Sequence, residues 1–116
     1  MALEGTPDRP ARVLFVCSRN RLRSPTAEAV FRDWPGIEVA SVGLKPDAEE
    51  VATPEDIAWA DLILVMEPTH KRELSRRFAP QLRDTRVVVL GIPDDYGFMD
   101  ADLVERLRRV VPRHLP

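Results

Sequence analysis

Residues 13–31, which decide the fold, have the sequence VLFVCSRNRLRSPTAEAVF. The apolar run 13–16 predicts a buried strand, and the segment that begins at Ser24 predicts a helix. The loop between them begins with Cys17 and ends with Arg23. A loop that joins a buried strand to a helix N-terminus is a common anion site, because its backbone N–H groups point inward and the helix dipole favours negative charge. The stretch therefore predicts a phosphate-binding loop.

Two side chains of this loop indicate a chemical role. Cys17 lies in the positive field of the helix N-terminus, which favours the nucleophilic thiolate. Arg23 carries a planar guanidinium that can hold two phosphate oxygens, and a cation at a helix N-terminus is unfavourable unless an anion is bound there. The pattern indicates hydrolysis of phosphate monoesters through a phosphocysteine. The alternative, that Cys17 is a small apolar residue at the end of a core strand, leaves Arg23 unexplained.

The rest of the chain alternates between strand and helix patterns. This alternation predicts a three-layer α/β/α fold with a four-stranded parallel sheet. The predicted strands are 12–17, 37–42, 62–66 and 86–90, and the predicted helices are 24–33, 53–60, 68–78 and 100–111. Ligands of such sheets bind beyond the carboxyl ends of the strands. Cys17, Ser41, Glu67 and Asp94 fall at or just after strand ends, so we expect them to gather at one rim.

Length and composition favour one domain. The chain has 116 residues, of which 44% are hydrophobic, and a net charge of −2. We expect residues 1–10 to form a flexible tail and residues 11–116 a single phosphatase-like domain. Neither a nucleic-acid partner nor a membrane partner is expected, because there is no overall basic character, no membrane-spanning apolar run and no signal peptide. The single cysteine fits a reducing cytoplasm.

Four motifs, in this order, resemble the low-molecular-weight protein tyrosine phosphatases. They are CSRNRLRSP at residues 17–25, SVG at 41–43, DLILVME at 61–67 and DDYG at 94–97. The resemblance spans most of the chain, although the part between Gly43 and Asp61 is shorter than is usual in the family. It implies the family fold, phosphotyrosine as the substrate class, and no metal or organic cofactor.

The general acid is sought at Asp94 and Asp95, because a phosphate ester is cleaved by protonating its leaving oxygen. The resemblance aligns DDYG with the family's DPY, which implies Asp94 as the acid and places Tyr96 at the site. Asp95 stands where the family has proline. From the residues alone, either aspartate could be the acid, the pair could titrate together, or both could belong to a solvated turn.

Further site residues come from the loop and from the second strand. Ser24 can cap the helix, and its hydroxyl can also donate to the cysteine sulfur. Asn20 tolerates a positive φ, and the resemblance implies that it braces the loop against Ser41. The expected substrate-binding residues are Ser18, Arg19, Asn20, Arg21, Leu22, Ser24 and Tyr96, with Ser41 and Asp95 in support.

Three loop positions depart from the family. Arg19 stands where glycine is usual, and we expect it to distort the cradle. Leu22 stands where a second cysteine often protects the nucleophile. Arg21 lies at the expected pocket mouth, where its cation is expected to repel phosphoarginine and to attract acidic groups that flank a phosphotyrosine.

His70 and His114 are expected to lie at the surface or at helix ends.

Two other functions fit the same loop. An arsenate reductase on this scaffold would need an external thiol, because the chain has one cysteine. An oxyanion-binding module would bind phosphate with little or no turnover. Hydrolysis of a phosphorylated protein or of a small phosphate ester explains more of the motifs.

Overall fold

The structure, a computed structural model, describes residues 9–116. Most of the expected tail, residues 1–8, lies outside the described residues. The strands are β1 (Ala11–Cys17), β2 (Ile37–Gly43), β3 (Leu62–Val65) and β4 (Arg86–Val89). The α-helices are α1 (Arg23–Phe31), α2 (Pro54–Trp59), α3 (Pro68–Arg77) and α4 (Ala101–Val110), with short 3₁₀ turns at Ala79–Leu82 and Val111–His114. Each predicted strand and helix is present, and only the 3₁₀ turns were not predicted.

The four strands form one parallel sheet in the order β2-β1-β3-β4. β2 pairs with one edge of β1, and the next strand, β3, pairs with the opposite edge of β1. This reversal opens a crevice beyond the carboxyl ends of β1 and β3, where open α/β sheets bind their ligands. Cys17 ends β1, and Glu67 follows β3. The topology therefore brings these two residues to the same place.

Apolar residues of β1 alternate between two cores, one on each face of the sheet. Val13 and Phe15 belong to the core that also contains residues of α1 and α4. Leu14 and Val16 belong to the core that also contains residues of α2 and α3. The sheet is thus covered by helices on both faces, which confirms the three-layer fold. None of the helices in residues 9–116 is both long and apolar enough to cross a membrane.

The two predicted helix caps have different outcomes. Thr53 caps α2 as expected, because its side chain accepts the Asp56 N–H at 3.2 Å and the Asp56 carboxylate accepts the Thr53 N–H at 3.0 Å. The prediction that Ser24 caps α1 is wrong. The helix begins one residue earlier, after Leu22, and has no side-chain cap. The Ser24 hydroxyl is instead engaged by groups of the phosphate loop.

Candidate active site

The nucleophile candidate lies at the base of the loop. Cys17 is 2% exposed, and its sulfur accepts the backbone N–H of Asn20 at 3.2 Å. The Ser24 hydroxyl lies 2.9 Å from the same sulfur. Ser24 Oγ accepts a hydrogen bond from Asn20 Nδ2 at 2.9 Å, so its own proton can go to Cys17 Sγ or to the carbonyl of Val42. The sulfur is the closer acceptor, because the Val42 oxygen lies 3.4 Å away. Two hydrogen-bond donors therefore face the sulfur, and both stabilise a thiolate.

Asn20 connects the loop to the strand beside it. Its φ is +55°, and its amide also donates to Ser41 Oγ at 2.9 Å. Ser41 in turn donates to Glu28 Oε1 at 2.5 Å. This chain of hydrogen bonds joins the loop, β2 and α1. The contact of Asn20 with Ser41 is the one that the family resemblance implies, and the contact with Glu28 was not predicted.

The carbonyl groups of the loop are held from behind by the segment that follows β2. Three backbone N–H groups of this segment bind them, from Leu44 to Cys17 O at 3.1 Å, from Lys45 to Ser18 O at 2.8 Å and from Glu49 to Arg19 O at 3.0 Å. Carbonyls fixed on the outer side leave N–H groups of the loop for an anion on the inner side. Arg19, where the family usually has glycine, does not adopt a positive φ. Arg19 therefore does not occupy the left-handed backbone region that favours glycine.

Arg23 is almost completely enclosed by protein, with a side chain that is 3% exposed. Its Nη1 binds the Glu67 carboxylate and donates to the carbonyl of Ile92 at 2.8 Å. Its Nε lies 3.7 Å from Asp94 Oδ1. Within residues 9–116, its Nη2 has no protein partner. The guanidinium is thus anchored at one nitrogen and borders the cavity described next.

A cavity of about 210 Å³ opens above the sulfur. It is lined by Cys17, Ser18, Arg19, Arg21, Leu22, Arg23 and Asp94. Six of these are consecutive or nearly consecutive loop residues, and Asp94 enters from the segment after β4. Asn20 and Ser24 are buried and contact the sulfur without lining the cavity.

The first three residues of the DDYG segment have different surroundings. Asp94 lines the cavity and approaches Arg23. Asp95 is exposed and makes no hydrogen bond or ion pair with any described residue. Tyr96 packs against the core, and its hydroxyl lies 3.3 Å from Arg106 Nη1, which donates to it. Tyr96, which was expected to bind substrate, is not among the cavity-lining residues.

Acidic partners surround the two arginines at the cavity mouth. Arg19 Nε lies 3.2 Å from Asp47 Oδ2. Arg21 lies 3.4 Å from Glu49 and 3.9 Å from Asp47. The hydrogen bond from Arg19 is the main cause of a lowered pKa at Asp47, which keeps this carboxylate charged. The sequence did not predict these partners, because they lie far from Arg21 along the chain, and the expected effect of Arg21 on substrate choice stays a prediction.

His70 lies at a helix end, one of the two places expected from the sequence, but sequence reasoning missed its burial and its contacts. This residue is 5% exposed and lies at the first turn of α3, beside the phosphate loop. Its Nδ1 accepts the Glu67 N–H at 3.1 Å, and its Nε2 lies 3.0 Å from Ser18 Oγ. Burial lowers the pKa of His70, and the charge of Arg23 lowers it further. The spacing in the sequence could have indicated this position. Glu67 follows the carboxyl end of β3, and His70 lies three residues later, in the first turn of the next helix.

In the part of the chain that the structure describes, no three His, Cys, Asp or Glu side chains come together to hold a metal ion. The ligand chemistry of the cavity is that of an anion site. Its polar groups are the guanidinium groups of three arginines, the loop N–H groups, the Ser18 hydroxyl and the Asp94 carboxylate.

Known proteins resemble this chain in both sequence and fold. The chain is 34% identical over 99 residues to a protein-arginine-phosphatase of Geobacillus stearothermophilus, in a match that covers 65% of this chain and 66% of that protein, just under two thirds of its length. It is 33% identical over 116 aligned positions to the low molecular weight protein-tyrosine-phosphatase Wzb of Salmonella typhi, in a match that covers 73% of this chain and 76% of that protein. No protein-family model matches the chain.

A solved structure extends the likeness to most of the chain. The structure of the YwlE arginine phosphatase from Geobacillus stearothermophilus matches with a TM-score of 0.74 and 25% identity, over 90% of each chain. The sequence match covers about three quarters of Wzb and 73% of this chain. The chain therefore belongs to the low-molecular-weight protein tyrosine phosphatase family.

Proposed function

We propose that this protein hydrolyses phosphate monoesters on proteins through a phosphocysteine formed on Cys17. The observation that carries the proposal is the pair of donors on the sulfur, the Asn20 N–H at 3.2 Å and the Ser24 hydroxyl at 2.9 Å. A buried cysteine of a structural core does not need such donors. Here the sulfur that they stabilise lines a cavity that Arg23 also lines.

In the proposed first step the Cys17 thiolate attacks phosphorus opposite the leaving oxygen. The S–P bond forms while the P–O bond breaks, and Asp94 gives its proton to the departing oxygen. The loop N–H groups and Arg23 hold the equatorial oxygens throughout. In the second step Asp94 takes a proton from water, the water oxygen attacks phosphorus, and Cys17 leaves as a thiolate that Ser24 stabilises.

Asp94 rather than Asp95 is the proposed acid. Both aspartates are exposed, but only Asp94 lines the cavity, with its carboxylate 3.7 Å from Arg23 Nε. A general acid must come within hydrogen-bond reach of the atom that it protonates.

Phosphotyrosine is the proposed substrate class, and phosphoarginine is the second candidate. Curated relatives of both kinds match the chain. The observation that favours the second candidate is the pairing of Arg21 with Glu49 and Asp47, which offsets the repulsion of a substrate guanidinium. We also propose a reducing cytoplasm as the location, because the mechanism needs Cys17 in its reduced form.

Turnover of a small aryl phosphate by the wild-type protein and by Cys17→Ser tests the function. We expect hydrolysis by the wild type and its loss in the variant, with oxyanion binding retained, because the loop is unchanged while the serine hydroxyl is a poor nucleophile. Matched phosphotyrosine and phosphoarginine peptides then rank the two substrates by kcat/KM. Substantial hydrolysis by Cys17→Ser would exclude the phosphocysteine. Phosphate binding without turnover by the wild type would instead identify an oxyanion-binding module.

A further inference from the structure

Ser18 forms part of the wall between two cavities. It lines the catalytic cavity and also a second cavity of about 170 Å³. The second cavity is lined by Ser18, Leu44, Lys45, Thr69, His70 and Glu73. Ser18 directly follows Cys17 in sequence, so its hydrogen bond with His70 is made by the phosphate loop itself, next to the nucleophile.

The partners of His70 determine which ring nitrogen carries the proton. The Glu67 N–H can only donate, so Nδ1, at 3.1 Å, must be the acceptor. In the neutral ring the proton is then on Nε2. Burial and the Arg23 charge lower the pKa of His70 and so favour this neutral form. Nε2–H consequently donates to Ser18 Oγ at 3.0 Å.

This bond directs the proton of the Ser18 hydroxyl. An oxygen that accepts from His70 turns its own hydrogen away from the ring. Across residues 9–116, no protein group other than His70 is a hydrogen-bond partner of Ser18 Oγ. The hydroxyl proton is thus free to bond to an anion in the adjoining cavity.

We propose that the Ser18 hydroxyl donates a hydrogen bond to an oxygen of the anion bound in the catalytic cavity, and that His70 is the positioning residue that orients this hydroxyl. The inference rests on the proposed function, which makes that cavity a phosphate site. It adds a side-chain donor to the loop N–H groups and Arg23. It also assigns a role to a buried histidine that the mechanism does not otherwise use.

Binding of sulfate, measured by titration calorimetry at neutral pH, tests the proposal. Because hydrogen bonds to charged groups are stronger than those between neutral groups, we expect Ser18→Ala to weaken sulfate binding by about ten-fold or more. His70→Ala should weaken it several-fold, and His70→Gln, which keeps an N–H donor near the position of Nε2, should restore most of the affinity. In the Ser18→Ala background, His70→Ala should have no further effect, because it acts through the missing hydroxyl.

Thr69→Ala is the matched control, since Thr69 lines the second cavity and not the catalytic one. It should leave sulfate affinity unchanged. Unchanged affinity in Ser18→Ala, an additive effect of the two alanine substitutions, or an equal loss in Thr69→Ala would each overturn the proposal. If the variants show the expected sulfate affinities but the wild-type protein does not hydrolyse an aryl phosphate, the proposed function alone is disproved.

Discussion

At the scale of the residue, the charge of Arg23 is the most constrained feature of the site. A guanidinium that is 3% exposed would be strongly unfavourable without partners. Glu67 and the carbonyl of Ile92 provide them at Nη1, and Asp94 lies near Nε. The cation is therefore in place before a substrate enters, which is the condition for effective stabilisation of a phosphoryl transition state.

The contact between Asp94 and Arg23 leads to a prediction about the leaving group. Asp94→Asn should slow hydrolysis of esters with basic leaving groups by about 10²–10³-fold, because the leaving oxygen then departs without a proton. Hydrolysis of an activated ester, such as a nitrophenyl phosphate, should slow far less. The measurement is kcat for a series of aryl phosphates of increasing leaving-group basicity.

Asp95→Asn is the control for this series, because Asp95 is the neighbouring carboxylate and does not line the cavity. It should leave the dependence on the leaving group as in the wild type. A larger dependence in Asp95→Asn than in Asp94→Asn would transfer the role of general acid to Asp95.

At the scale of the element, the shape of the phosphate loop depends on the segment after β2. Gly43, the last residue of β2, lies so close to the loop that an added Cβ would be 2.8 Å from the Ser18 carbonyl oxygen and 2.6 Å from the Ala48 Cβ. Backbone atoms cannot yield as a flexible side chain can. Glycine at this position allows the N–H groups of the segment to reach the loop carbonyls.

Gly43→Ala should therefore reduce both stability and anion binding. We expect a loss of about 2 kcal/mol in the free energy of unfolding, typical of an overpacked site, and a raised KM for an aryl phosphate. Urea unfolding and steady-state kinetics measure the two effects. Gly97→Ala is the matched control, since a Cβ there meets nothing within 4 Å, and it should change stability by less than about 0.5 kcal/mol. Equal effects of the two substitutions would argue against the tight contact.

At the scale of the whole molecule, His70 connects α3 to the loop after β1 and makes stability depend on pH. The charged groups that act on it are Arg23, Glu67, Asp94 and Lys45, in addition to the effect of burial. Its pKa in the folded protein lies below the ordinary 6.5, so the unfolded chain takes up a proton first as pH falls. The contribution of His70 to stability is therefore complete above pH 6.5 and is lost as pH falls from there through the folded pKa.

His70→Gln should flatten this dependence. Between neutral and mildly acidic pH, the unfolding free energy of the wild type should fall more steeply than that of the variant, by at most about 1.4 kcal/mol per pH unit, the limit for one proton. Urea unfolding at a series of pH values gives both slopes. His114, whose pKa is also lowered by burial, remains in both proteins and cancels in the comparison. Identical slopes would contradict the buried, neutral state of His70.

The sequence alone was sufficient for features that depend on neighbouring residues. Strand and helix positions followed from apolar periodicity, and the Thr53 cap followed from residues three apart. The phosphate loop followed from the spacing of Cys17 and Arg23 between a strand and a helix. Parallel strands also bring their carboxyl ends to one edge, so Glu67 and Asp94 could be expected near the loop. These signals are local, or follow from topology without any detail of side-chain packing.

Only the tertiary structure decided which side chains contact each other across that edge. Arg21 meets Glu49 and Asp47 because the segment after β2 folds beneath the loop. Ser18 and His70 are 52 positions apart along the chain. Ser24 could cap a helix or bind a sulfur, and the choice depended on where α1 begins relative to Cys17. Such pairings are determined by distances of a few ångströms between elements, because hydrogen bonds and ion pairs form only over that range.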